Sequence, residues 1–418
     1  MMDGKARAKS VPNMRQQPGL PFLIVACGCV IAALTFGPRS AMGFFQLPML
    51  ADREFDRNAF ALALAIQNIF WGIGQPLFGA VADRWGTWRV LALSGLLYAA
   101  GLLLMATAET ASMLYLSAGV LVGLGVAAGS FGIILAAFAR NVHESQRSFV
   151  FGIGTAAGSA GMLIFAPLSQ QFIDLFGWSD ALLWMAALML VIPLLALPLT
   201  GTSSTGRTPL VASDQTFGQA LREAFSHRSY VLLTAGFFVC GFQLAFITVH
   251  FPAYLADIGI DARYAVLGLA MIGLFNIAGS LASGVIGQRM SKPIFLLLIY
   301  VARTVAVAAF ILLPPSPATV IGFSIAMGLL WLSTVPPTNA LVAVMFGTKY
   351  LGMLGGLVFL SHQIGSFIGV WLGGYLRQTM GSYEPVWWIG AILGLIAAIL
   401  HWPISETPVE RGIVAPAE

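Results

Sequence analysis

Almost the whole chain is built of apolar runs of roughly 20 residues or more, the length a helix needs to cross ~30 Å of hydrocarbon. Short breaks at charges, prolines and turn residues separate them. Of 418 residues, 58% are hydrophobic and only 9% charged. A water-soluble domain carries about a quarter charged residues, so this chain could not wet its own surface. Its main solvent is lipid. Membrane-spanning β-barrels need alternating segments of ~10 residues, which are absent. The 46 glycines would weaken soluble helices. Between membrane helices, small residues let backbones approach closely.

The breaks predict twelve segments, at 20–49, 58–82, 89–108, 112–139, 149–173, 180–200, 229–255, 263–287, 293–313, 317–345, 352–376 and 384–404. The basic stretch holding Lys5, Arg7, Lys9 and Arg15 precedes the first run, which continues past Phe36 without a convincing cleavage site. The expectation is a retained first helix. Fifteen of the 21 lysines and arginines fall in the two tails and the loops after even-numbered segments, against four on the opposite side. Positive charge accumulates on the cytoplasmic side, so both tails are expected there, in an inner membrane. The net charge of +4 therefore reflects topology and gives no support for nucleic-acid binding.

The longest polar break runs from Gly201 to His227 and divides the segments six and six. The expected layout is a tail at 1–19, one bundle at 20–200, a linker at 201–228, a second bundle at 229–404 and a tail at 405–418. Glycine-rich segments recur at matching places in the two halves. In 352–376, Gly365, Gly369 and Gly373 share one helix face.

After the second segment the chain reads Gly79-Ala-Val-Ala-Asp83-Arg84-Trp85-Gly86-Thr87-Trp88-Arg89. This resembles the cytoplasmic loop motif of the Major Facilitator Superfamily, and the resemblance covers essentially the whole chain in span number, orientation and repeat position. It implies an all-α membrane protein with twelve transmembrane helices in a 6+6 fold, working as a secondary transporter by alternating access. Gly79 would allow close packing and Gly86 a tight turn, while Asp83 would face a neighbouring helix end, in the superfamily the eleventh. A degraded copy, Gly284-Val-Ile-Gly-Gln288-Arg289-Met-Ser291-Lys292, lacks the acid. The resemblance makes Gly79, Asp83, Arg84, Gly86, Arg89 and Arg289 parts of a conformational latch, engaged more weakly in the second half.

Two arginines, Arg39 and Arg303, lie away from the ends of predicted spans, and no carboxylate sits in a span interior. A central arginine costs about 2.5–3.5 kcal/mol on insertion scales, so its presence needs a reason. Unpaired positive charge suggests that an anion arrives as substrate. The stretch Phe36-Gly37-Pro38-Arg39-Ser40-Ala41-Met42-Gly43-Phe44-Phe45 looks like the first-helix motif of monocarboxylate transporters and oxalate–formate exchangers, where a basic residue contacts the substrate carboxylate. The competing reading has Arg39 snorkelling to the interface. That family's Asp/Arg pair in the eighth helix is missing; Asn276 and Ser280 are the polar groups there. Arg303 either pairs with helix carbonyls or reaches the cavity from behind.

Superfamily position points to Ser130, Gln243, Trp331 and Asn339 as cavity residues, and Pro336 and Pro337 should break their helix. Gln67 and Asn68 sit mid-span. Of the span histidines, His250 and His362, the second is the better candidate for carrying a coupling proton. Otherwise two anions exchange. The candidate substrate-binding set is therefore Arg39, Gln243, Trp331, Asn339 and Arg303. The expected solute is a small organic anion, moved with a proton or against a counter-anion. The rival solute is a larger heterocycle, either a vitamin such as riboflavin or an exported drug. Cys27, Cys29 and Cys240 read as buried hydrophobes, and no metal site or cofactor is expected. Paired acids and nucleophile sets are absent from the spans, which argues against an enzyme. A monomer is expected.

Overall fold

The computed structural model describes residues 21–141, 144–200, 216–347 and 350–409. The expected tail at 1–19, most of the linker at 201–228, the last residues of the tail at 405–418 and the side chain of Asp83 lie outside that description. Among the described residues the secondary structure is entirely helical.

Eleven helical stretches among these residues are long and apolar enough to cross a membrane. We label them α1 (Phe22–Asp52), α2 (Arg57–Ala82), α3 (Thr87–Ala106), α4 (Ala111–Phe138) and α5 (Gly152–Leu199). After the linker come α6 (Arg228–Asp257), α7 (Ala262–Arg289), α8 (Lys292–Leu312), α9 (Pro317–Phe346), α10 (Leu351–Met380) and α11 (Glu384–His401). The expected fifth and sixth segments appear together as α5, 48 residues long. Gly177 interrupts it with φ 80° and ψ 165°, a backbone state that costs glycine little and other residues much. The chain turns there without leaving a loop.

Three of the other helices are broken near mid-length. In α1, regular helix ends at Ser40, and a 3-10 turn at Met42–Phe45 leads to a second piece at Gln46–Asp52. Pro38 lies inside the first piece, where its ring removes a backbone donor. In α4 the helix stops at Ala128 and resumes at Phe131. In α9 it stops at Leu330 and resumes at Val335, just before Pro336 and Pro337. Irregular backbone at membrane depth persists only where protein or a watered cavity satisfies its polar groups.

Packing follows the small residues. Gly365 and Gly369 bring α10 against the α6 backbone at Phe238 and Phe242, and Gly373 meets the His250 ring, so the three-glycine face does form a close helix contact. Two helix pairs join the N-terminal helices to the C-terminal ones at one end of the molecule. In the first, a Cβ added at Gly43 would lie 2.9 Å from the Thr248 carbonyl oxygen of α6. In the second, Gly374 of α10 sits against Ala61 and the Arg57 carbonyl of α2. Nearer the middle, Gly273 of α7 packs on Met162 and Leu163 of α5.

The opposite end is different. Gly79 on α2 and Gly352 and Gly356 on α10 have nothing within 4 Å of an added Cβ. The expected close packing at Gly79 is therefore not made in this conformation. A cleft of about 210 Å³ opens between α5, α7 and α9, lined by Thr155, Ser159, Ile277, Ser280 and Pro336 among others.

Candidate functional site

Arg39 stands at the break in α1. Its Nη2 donates to Asn68 Oδ1 of α2 at 2.5 Å, and its guanidinium carbon lies 4.6 Å from the centroid of the Trp71 ring. Asn68 is itself oriented by donating to its own helix at Leu64 O, 2.8 Å away. A charge-assisted hydrogen bond contributes about 1.5–3 kcal/mol and a desolvated cation–π contact about 2. Together these are of the order of the ~2.5–3.5 kcal/mol insertion cost of such an arginine, so the charge is tolerated without an acid. Among the described residues no carboxylate lies within ion-pair distance of Arg39, and its buried Nε has no acceptor.

Trp71 belongs to a run of touching aromatic rings. Phe36 stacks on Phe131 at 4.1 Å between centroids and is tilted against Trp71 at 5.8 Å. Trp71 meets Phe359 of α10 edge-on at 5.2 Å, and Phe359 lies parallel to His362 at 5.8 Å. Rings from α1, α2 and α4 thus meet rings from α10 at the junction of N- and C-terminal helices. His362, half-buried, has Nδ1 3.0 Å from Gln363 Oε1.

The other expected site residues are placed elsewhere. Arg303 is fully buried, and its Nε and Nη2 donate to Leu330 O at 3.2 and 2.6 Å, with Nη2 also reaching Trp331 O at 2.5 Å. These carbonyls end the first piece of α9 and would otherwise be orphans. In this conformation Arg303 pairs with helix carbonyls at the break in α9, while its buried Nη1 has no acceptor. Gln243 donates to Gly390 O of α11 at 2.8 Å, an intrabundle tie in an apolar interior. Neither Gln243 nor Arg303 bonds Arg39 in this conformation. Trp331 is 5% exposed and supplies a carbonyl to Arg303. Asn339 is exposed, beside Gly355 of α10.

Remaining polar residues act as ties between helices. Gln67 bonds Ala118 O of α4 at 2.9 Å, and His250 Nε2 lies 2.8 Å from Val370 O of α10. Ser130 is buried at the break in α4, its hydroxyl unpartnered. Asn276 reaches across to Ser159 Oγ of α5 at 2.8 Å and accepts from Leu332 N, in the break of α9, at 3.0 Å. Of the latch residues, Arg84 and Arg89 are exposed; Arg89 donates to Trp85 O at 2.6 Å. Gly86 has φ 92°, the turn expected of it. Arg289 closes α7 in its last turn.

One cluster was not anticipated. At the tightly packed end, Asp257 of α6 accepts from Arg57 Nη1 and Nη2 of α2, each at 2.8 Å, and from Arg377 Nε of α10 at 2.8 Å. Tyr383 Oη accepts from Arg57 at 3.2 Å. One carboxylate holds two arginines from different helices. The signal available in the sequence was three charges at segment ends predicted on the same side.

Residues 25–361 match the model of the Major Facilitator Superfamily. The chain belongs to this superfamily. It is therefore a multi-pass membrane transporter and not an enzyme. Among its relatives is "Monocarboxylate transporter 13" of Rattus norvegicus, 28% identical over 398 residues, which span 92% of this chain and 90% of that protein. The Bos taurus protein of the same name is 26% identical over 401 residues, covering 94% and 92%. Solved structures share the fold. A bacterial homolog of the human lysosomal transporter Spinster, inward-facing and unoccupied, superposes with TM-score 0.73 at 14% identity, covering 91% of this chain and 96% of that one. A D-xylose-proton symporter gives 0.69 at 17% identity, with 92% and 97% covered.

Proposed function

We propose that this superfamily transporter moves a small organic anion across the inner membrane, with Arg39 as its carboxylate anchor. The observation that carries the reading is a cation at the break of α1 with neutral partners only. An arginine fork grips a carboxylate through two parallel hydrogen bonds, and one inside the membrane with no fixed counter-charge gains most from a ligand that brings one. The names of the monocarboxylate transporter relatives agree with a carboxylate solute.

In this reading the chain crosses twelve times, counting the two sides of Gly177 separately, and both tails are cytoplasmic. Two bundles, 20–200 and 229–404, rock about the site. The Asp257 end then faces outward and is shut, and the cleft beside Ser159 and Ser280 faces the cytoplasm. His362, two ring contacts away from Arg39 through Phe359 and Trp71, is the group proposed to carry a coupling proton. The protein acts as a monomer.

The test is uptake and counterflow of radiolabelled carboxylates in proteoliposomes. Arg39→Ala should abolish transport and Arg39→Lys should retain part of it. Equal transport by the wild type and Arg39→Ala would refute the anion anchor.

A further inference from the structure

The surroundings of Arg39 narrow the class of carboxylate. A short aliphatic acid needs a cation, a few donors and a small pocket. The cation here instead lies over Trp71, one member of a run of touching rings drawn from four helices: Phe36, Trp71, Phe131, Phe359 and His362. Phe36, Phe131, Phe359 and His362 are only partly buried, so each keeps surface that no protein atom covers. They also straddle the junction between the N-terminal and C-terminal helices, the plane along which a rocking transporter opens. Two donors in this group, Arg39 Nε and Trp71 Nε1, have no acceptor. A buried donor left without an acceptor is costly, so an acceptor atom brought by a bound molecule would be favourable there.

Resting on the anion reading above, we propose that the solute is an aryl carboxylate: its carboxylate on Arg39 and its ring against Trp71, Phe36 and Phe359. Aromatic faces discriminate rings from chains because offset and edge-on ring contacts add attraction beyond the area they bury. Arg39 already lies over Trp71, so the indole also holds the guanidinium in the orientation in which it meets the ligand.

The test is equilibrium binding to the purified full-length chain of four acids: benzoate, indole-3-acetate, cyclohexanecarboxylate and acetate. Indole-3-acetate and benzoate should bind about tenfold more tightly than acetate. They should also exceed the saturated cyclohexanecarboxylate several-fold, which separates ring π-contacts from bulk hydrophobicity. Trp71→Leu should remove the preference for aromatic over saturated rings, and Trp71→Phe should keep most of it. Phe359→Leu provides a second removal should Trp71→Leu fail to fold. If acetate and cyclohexanecarboxylate bind as tightly as the aryl acids, and Arg39→Ala abolishes all of it, the aryl assignment falls while the anion anchor stands. If Arg39→Ala changes the binding of none of the four, both fall.

Discussion

The two ends of this transporter are closed and opened by different kinds of contact. At the Asp257 end, α1 meets α6 and α2 meets α10 backbone to backbone, and one carboxylate clamps two arginines. At the other end, Gly79, Gly352 and Gly356 face open space, and a cleft opens between α5, α7 and α9. The closed end concentrates its hold in a few strong, directional bonds at side chains 18–25% exposed. Under the rocking motion proposed above, such a gate would break and re-form as a unit, and the glycines at the open end would pack once it shut.

The comparison can be broken most forcefully at Asp257. Asp257→Ala leaves Arg57 and Arg377 close together without their anion. The closed end should lose about 2 kcal/mol or more, a shift of about 30-fold in population toward its opening. Reagents applied from that side should then label a cysteine placed at Thr248, and failure to label it would remove the gate from the account. Next in size is Gly43→Val. Overpacking against the carbonyls of Thr248 and Val249 costs roughly 1–3 kcal/mol and should favour opening of the same end although Arg57, Asp257 and Arg377 are unaltered. Labelling at Thr248 reads this as well.

Asn276→Ala removes one neutral tie between α5 and α7 and frees Leu332 N, so a destabilisation of about 1 kcal/mol is expected. A thermal unfolding midpoint a few degrees lower would show it. The smallest effect in this conformation belongs to Gly79→Leu. Its stability should stay within about 0.5 kcal/mol of wild type, because nothing lies within 4 Å of the added Cβ. Transport should nevertheless fall, because the added bulk obstructs closure of that end. A Gly79→Leu protein with normal transport would show that the α2–α10 contact there is never needed.

The segments themselves were legible because lipid allows few alternatives: boundaries expected at 58–82, 89–108 and 317–345 fall within a few residues of α2, α3 and α9. The merging of 149–173 with 180–200 was not, since it turns on a single glycine adopting φ 80°. The break at Pro336 and Pro337 was anticipated from proline chemistry, whereas the one at Gly129 and Ser130 is written in small residues that are equally at home in unbroken helices. Arg39 was identified by its charge, but its partner Asn68 was not. Membrane helices are apolar around their whole circumference, so periodicity does not say which way a residue points. The same limit hides that Gln243 and Arg303 each bond a neighbouring helix within the C-terminal set. Asp257 and Arg57 are 200 residues apart, and only the fold joins them.

Alternation of the two ends is most directly tested by a pair of inter-label distances in one background lacking Cys27, Cys29 and Cys240. Spin labels at Glu54 and Glu384 report the clamped end, and labels at Trp85 and Gly352 report the open one. Introducing Asp257→Ala should lengthen the first distance and shorten the second in the same sample. Two distances that stay fixed, or that lengthen together, would contradict reciprocal movement of the ends.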